Sequence, residues 1–265
     1  MLRALGIAGA ILLVTTGCAT TTGATSMDQM EHIHSVEVDG GNFYLASHHG
    51  IYKWSGEGWT LVGEEFDAMG LAIDNGVFYA SGHPGPGQSF PDPLGILESL
   101  DEGNTWTPKT LTGEVDFHLL EVSGDSMVGV AANYGVVVGT QDGAVSWSNI
   151  ATPSLTSLSI NPNNGQQFLL TSEGLLYLSE DSGLTLTAVT APSGSKKVEW
   201  SDNGIAVATD SKLYRSAGLG LPFIEMPEFF AGIQDIAASG ANMIVLDEQG
   251  VHVSSDNGTV FSLLP

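Results

Sequence analysis

The stretch SLDEGNTW, residues 99–106, decides how this sequence folds. It spells S-x-D-x-G-x-T-W. Ser and Asp two residues apart accept hydrogen bonds within a tight turn, Gly supplies a positive φ, and Trp covers the edge. Weaker copies stand at TQDGAVSW (140–147), SEDSGLTL (179–186) and SSDNGTVF (254–261). KWSGEGWT (53–60) and RSAGLGLPF (215–223) fill two further slots in degraded form. The five later copies are spaced 36 to 41 residues apart, and the first interval is longer because GHPGPGQSFPDPLG (82–95) is inserted there. A period of this length marks a repeat architecture.

Outward from each turn the same unit recurs. An alternating apolar run comes first: HSVEVD (34–39), MGLAID (69–74), HLLEVS (118–123) or TSLSIN (156–161). A second run follows, such as NFYLAS (42–47), GVFYAS (76–81) or QQFLLTS (166–172), then a short loop ending in Gly50, Gly95, Gly135, Gly174 or Gly250. A third run, the turn and a fourth run complete the unit. Alternation with period two, broken by Gly, Asn, Asp and Ser, predicts four short antiparallel strands. Four strands repeated six times predict an all-β, six-bladed β-propeller over residues 31–265. The quoted turn then joins the third and fourth strands of a blade, and Asp101, Gly103 and Trp106 read as structural. The last run, TVFSLL (259–264), is expected to complete blade six, with pairing of residues 24–31 at the seam as the alternative.

The first residues, MLRALGIAGAILLVTTGC, place one Arg before an apolar run of the length of a secretory h-region. The run is too short for a comfortable membrane span. It ends in Thr16-Gly17-Cys18, and Cys18 is the sole cysteine. This ending resembles the bacterial lipoprotein processing site, with Thr15 where such sites usually carry Leu. The resemblance implies a signal peptide over 1–18, lipidation at Cys18, a flexible tether over 19–30 and an extracytoplasmic, membrane-anchored protein. Ordinary secretion is the alternative. A single cysteine excludes an intramolecular disulfide. The net charge of −23, from 30 acidic residues against seven basic ones, excludes a nucleic-acid partner and favours cations. The remaining length suits one domain, expected to be a monomer.

The SLDEGNTW pattern is that of the Asp-box, and the repeats resemble the BNR-like repeats of the sialidase superfamily and of sortilin-type propellers. The series HIH (32–34), HHG (48–50), GHPGPG (82–87) and DFH (116–118) resembles a group of secreted bacterial propellers labelled glycosyl hydrolases, mainly through residue 150. That resemblance implies sugar cleavage. A sialidase needs three arginines to grip the substrate carboxylate, and this chain has only Arg3 and Arg215. Sialidase activity is excluded on that count. Other glycosidases need two carboxylates, for which Asp67 and Asp116 are the candidates, with Glu173 and Glu248 also near loop ends. Whether the chain is an enzyme stays open.

Aligning the units gathers the histidines. At the start of the innermost strand the six blades place His34, Met69, His118, Thr156, Lys196 and Gln234. Two residues earlier stand His32, Asp67, Asp116, Ser154, Gly194 and Gly232. Residues i and i+2 of a strand share a side, so each pair is expected to point the same way. The loop between second and third strands opens on the same face and carries His48, His49 and His83, candidate ligand-binding residues. Six of the seven histidines thus converge on one face of blades one to three, and His252 reads as packing. Candidate metal ligands are His32, His34, His118, Asp67, Asp116 and Met69, with copper, zinc or iron as the ion. Met among the ligands would favour copper, and Asp zinc or iron. Taken singly, each reads better as structural, His34 and His118 as hydrogen-bonded core residues, Asp67 and Asp116 as turn formers and Met69 as core filler; it is the convergence that points to a site. The inserted loop at 82–95 emerges beside His83, placed to roof the channel mouth. Three readings follow: a propeller binding a metal or metal-dependent ligand, a glycoside hydrolase using Asp67 and Asp116, or a protein-interaction scaffold.

Overall fold

The computed structural model describes residues 25–27 and 30–265; Cys18 and the signal-like segment lie outside the described residues. The chain forms six four-stranded antiparallel sheets, each built from one contiguous stretch. Blade one comprises Ile33–Asp39, Asn42–Ser47, Gly50–Trp54 and Trp59–Val62, and blade two Asp67–Asp74, Val77–His83, Ile96–Ser99 and Thr107–Thr110. Blade three comprises Phe117–Ser123, Ser126–Ala131, Val136–Thr140 and Ser148–Ile150. Blade four comprises Ser157–Ile160, Phe168–Ser172, Leu175–Ser179 and Thr187–Val189. Blade five comprises Lys197–Ser201, Gly204–Ala208, Lys212–Ser216 and Ile224–Phe229, and blade six Asp235–Ser239, Asn242–Asp247, Gly250–Ser254 and Ser262–Leu263. The six-bladed propeller expected from the repeats is the observed architecture.

The first strands form the inner ring, each packing on the first strand of the next blade, and blade six returns to blade one. Among the described residues, no strand is exchanged at this seam. Val36 donates its amide to Asp235 Oδ2 at 3.1 Å, and Val36, Leu45 and Trp59 share a core cluster with Ile244, Leu246 and Val251. The segment before blade one pairs with the outermost strand of that blade, where Thr25 exchanges backbone hydrogen bonds with Trp59 at 2.7 and 3.2 Å. Met27 and Met30 pack against the same cluster.

The core lies between blades rather than inside one layer. Tyr44 of blade one meets Phe78 of blade two edge to face, with ring centroids 5.0 Å apart. Ile96 packs with Phe117 and Met127, Val128 with Phe168, and Leu169 with Val198 and Val207. Second strands are therefore covered on both faces, which is why they read as continuous apolar runs; Phe168–Ser172 is buried at every position. Each fully buried Leu or Phe contributes about 1.5–3 kcal/mol, and every blade depends on its neighbours for that burial.

The turns that reveal the repeat hold themselves closed. Ser99 Oγ donates to Asp101 Oδ1 at 2.8 Å and accepts from the Gly103 amide at 2.9 Å. Asp101 in turn accepts from the Thr105 amide and hydroxyl, at 2.8 and 2.7 Å. The pattern returns at Thr140, Asp142 and Ser146, and at Ser179, Asp181 and Thr185. In the second copy the Ser146 hydroxyl and amide hold the Asp142 carboxyl down to about 2. All these turns join third and fourth strands, at strand ends opposite to the histidine-bearing loops.

Candidate metal centre

The inner strands of blades one to three each carry a β-bulge, and the extra residue is the one the repeat alignment singles out. Ile33 pairs with Ser47 and Ser35 with Ala46, so His34 is left over. Ala68 and Gly70 pair with Gly82 and Ser81, leaving Met69. Phe117 and Leu119 pair with Ala131 and Val130, leaving His118. A bulge turns its side chain out of the regular pleat, and bulges are frequent beside functional sites. In blades four to six the equivalent residues, Thr156, Lys196 and Gln234, precede the strand and donate their amides to Thr171, Ala208 and Leu246 at 2.8 Å. The simple i, i+2 expectation is corrected accordingly. His32 lies outside the strand altogether, at φ +42°, a left-handed conformation costing about 1–2 kcal/mol for a non-glycine residue.

Gly82 makes the second of these bulges possible. A Cβ there would stand 1.9 Å from the Asp67 carbonyl oxygen and 2.9 Å from the Met69 amide, and φ is +140°. Only glycine admits that approach.

Three side chains converge beside the first bulge. His34 Nε2 lies 3.2 Å from His48 Nδ1, His48 Nδ1 lies 2.8 Å from Asp67 Oδ1, and His34 Nε2 lies 3.6 Å from Asp67 Oδ1. His32 closes the group, its ring centroid 5.4 Å from that of His48 and 6.1 Å from that of His34. His34 comes from the bulge of blade one, His48 from the corner after its second strand, and Asp67 from the start of blade two. With bonds of about 2.0–2.1 Å, ligand atoms around a tetrahedral zinc ion stand about 3.3 Å apart. The three donor atoms already form a triangle of that size. Burial lowers the His34 pKa, and the neighbouring His48, His32 and His118 reinforce this against the opposing charge of Asp67. A neutral imidazole is the form that binds metals.

A second cluster stands one blade further on. His118 Nε2 lies 2.8 Å from Asp116 Oδ2, and His83 Nε2 lies 3.7 Å from the same oxygen. His83 Nδ1 is 2.6 Å from Asp92 Oδ1, a residue of the inserted loop. Asp116 Oδ1 is buried and has no hydrogen-bond partner. Burial alone would lower the His83 pKa, but its hydrogen bond to Asp92 and the charges of Asp116, Asp92 and Asp67 outweigh it and raise the pKa. Asp67 and His83 are cross-strand partners, so the two clusters adjoin.

The remaining candidates fall outside these clusters. His49 is half exposed and faces Glu31, with Nε2 3.9 Å from Oε2. Met69 occupies the bulge of blade two, partly buried. His252 packs against the Phe230 ring at 5.3 Å and lies 3.1 Å from Asp247. Arg215 is spent on the carbonyls of Asn257 and Asn203, at 2.9 and 3.0 Å. The inserted loop docks on neighbouring connections. Gln88 donates to Glu64 at 3.2 Å, and Pro93 accepts from the Gly113 amide at 2.7 Å. A cleft of about 740 Å³ opens between blade three and the connection to blade four, with His118, Val130, Ile150 and Leu155 in its wall.

Sequence reasoning missed a set of channel carboxylates. Glu37, Glu121 and Glu199 come from the inner strands of blades one, three and five and line a cavity of about 330 Å³. Ala72, Ser159 and Ala237 hold the matching positions of blades two, four and six, leaving room for the longer side chains. Glu121 accepts from the Ile160 amide at 3.3 Å, and Glu199 from the Ala238 amide at 3.3 Å and Ser159 Oγ at 3.2 Å. They thereby satisfy edge amides of adjoining inner strands, as Asp235 does for Val36. Burial, reinforced by mutual repulsion, raises the Glu37 and Glu121 carboxyls well above the usual range. Burial pushes Glu199 up to about 8. The signal was present: Glu recurs three residues after the bulge position in alternate blades.

No protein-family model matches the sequence, and no curated protein matches it. Solved structures share the fold. The GH74 enzyme of Niastella koreensis is 18% identical with TM-score 0.60, over 89% of this chain and 38% of its own. A chain of the nidogen/laminin complex is 11% identical with TM-score 0.64, over 84% and 93%. YCF48 bound to a D1 peptide is 16% identical with TM-score 0.53, over 91% and 83%. The chain therefore spans well under half the length of the GH74 enzyme. Identities this low establish a shared propeller fold and no more.

Proposed function

We propose that this chain is a metal-binding β-propeller of the Asp-box type, holding one divalent transition-metal ion through His34, His48 and Asp67, with His32 as the fourth donor. The observation that carries the reading is the donor triangle, with sides of 2.8, 3.2 and 3.6 Å, assembled from two blades. Two imidazoles and one carboxylate suit zinc or iron(II) better than copper. If His32 stays away, the fourth position is open to water or to a metal-dependent ligand. The acidic surface would raise the local cation concentration. A lipid on Cys18 would hold the propeller at an extracytoplasmic membrane surface, a reading that rests on the signal-like first 18 residues. Mass analysis of the mature protein against a Cys18→Ser variant tests that anchor.

The metal reading is tested by stripping the protein with a chelator and titrating it with zinc sulfate. Tight uptake that is lost in His34→Ala/His48→Ala supports it; no uptake by the wild-type chain overturns it. Glycan hydrolysis is the competing reading, prompted by the GH74 neighbours. It would use Asp67 and Asp116, both of which here face histidines within 2.8 Å. Chromogenic polysaccharides assayed with the wild type and with Asp67→Asn/Asp116→Asn distinguish the two.

A further inference from the structure

We infer that a second divalent cation binds beside the first, held by His83, Asp116 and His118, with Asp92 orienting His83. The inference takes the class of ion from the reading above, but its residues are separate. Asp116 Oδ2 is flanked by two imidazole nitrogens, His118 Nε2 at 2.8 Å and His83 Nε2 at 3.7 Å. The contact with His118 accounts for that oxygen alone. It leaves Asp116 Oδ1 buried without a hydrogen-bond partner. A buried, unsatisfied acceptor of this kind is costly, and a cation held by both oxygens of the carboxylate removes the cost.

Asp92 adds an independent argument. Its Oδ1 lies 2.6 Å from His83 Nδ1, the arrangement in which a carboxylate fixes the tautomer and orientation of a metal-binding imidazole. With the proton on Nδ1, Nε2 presents its lone pair towards Asp116. The chain reserves an inserted loop for this contact, because Asp92 lies within the 82–95 excursion that no other blade possesses. His83 Nε2, 3.7 Å from Asp116 Oδ2, stands farther out than the ligands of one ion, and a bound cation would have to draw it in.

The second cluster also reuses the construction of the first. Each contains an Asp two residues before a bulge position, Asp67 before Met69 and Asp116 before His118. Each also takes a His from the end of the second strand of the preceding blade, His48 just after it or His83 as its last residue. Asp67 and His83 face one another across the first two strands of blade two, so their Cβ atoms stand about 5 Å apart. The two ions would therefore be neighbours on one face.

Metal stoichiometry tests the inference on the full chain. The chelator-stripped protein is dialysed against zinc sulfate and its metal content measured, and cobalt(II) titration follows ligand-field absorption in parallel. Two equivalents are expected for the wild type, and one each for Asp116→Asn/His118→Gln and for His34→Ala/His48→Ala. One wild-type equivalent, lost with His34 and His48 but unaffected by changes at Asp116 and His118, overturns the second site and leaves the first standing. Two equivalents retained in Asp116→Asn/His118→Gln, and equally in the separate variant His83→Gln, overturn it as well. No uptake by the wild type overturns both readings. The wild-type count and the cobalt spectrum need no substitution, so a poorly folding variant does not rescue the proposal.

Discussion

His48 Nδ1 lies 2.8 Å from Asp67 Oδ1, joining the corner of one blade to the first residue of the next blade's inner strand. Its neighbour His49 turns away to Glu31 and is half exposed. The pair are adjacent in sequence but differ in position, so they must differ in effect. His48→Ala is expected to weaken zinc binding at the first cluster by at least about tenfold, the lower end of what loss of an orienting partner alone costs. His49→Ala is expected to leave it unchanged. Isothermal titration with zinc on both variants decides this, and equal losses from both would remove the donor triangle as the site.

Gly82 tests whether the bulge positions the site. A methyl group there would collide with the Asp67 carbonyl oxygen at 1.9 Å, and the positive φ adds strain of its own. The Gly82→Ala chain should lose zinc binding although it retains every ligand, and its melting temperature should fall. Gly124 makes a suitable control. It also has positive φ, but no atom lies within 4 Å of its would-be Cβ. Gly124→Ala should lower the melting temperature less and leave zinc uptake intact.

Ser99 should matter to stability and not to the site. It is almost wholly buried, donates to Asp101 and accepts from the Gly103 amide. Ser99→Ala leaves that amide unpaired, at a cost of about 1–3 kcal/mol. Chemical denaturation should register the loss while zinc stoichiometry stays at the wild-type value. A change in stoichiometry would mean that the turn reaches the histidine face.

These contrasts mark what a sequence can express. The turn at Ser99 was legible because all its partners lie within six residues, so its hydrogen bonding is written as a local pattern. The convergence of histidines on one face was legible because it needs only strand order. Which of them meet was not, because His34 owes its direction to a bulge, and a bulge is a slip in register between two strands. His48 and His49 look alike in sequence, and only the corner's geometry separates them. Glu37, Glu121 and Glu199 escaped for a different reason. In an alternating strand a Glu reads as facing solvent, and here the polar side of the inner strand faces the central channel.

The channel carboxylates predict how stability depends on pH. Glu37, Glu121 and Glu199 face one another and Asp235, whose charge is partly met by Lys197 at 3.4 Å. Their folded pKa values lie above the unfolded value near 4.5, with Glu199 at about 8. Between those limits the folded chain holds protons that the unfolded chain releases. Their contribution is therefore complete below about pH 4.5 and is lost as pH rises through the folded pKa. The slope is about 1.4 kcal/mol per pH unit for each proton so held. The depressed Asp142, at about 2, acts only below this window. Melting temperature should fall between pH 5 and about pH 8, and Glu37→Gln/Glu121→Gln/Glu199→Gln should flatten the fall and leave the variant more stable at the upper end. Gln keeps the acceptor oxygen for the Ile160 and Ala238 amides, so the comparison isolates ionisation from hydrogen bonding. A wild-type melting temperature that rises over this range, or a slope unchanged in the triple variant, would show that these carboxyls are ionised in the folded channel.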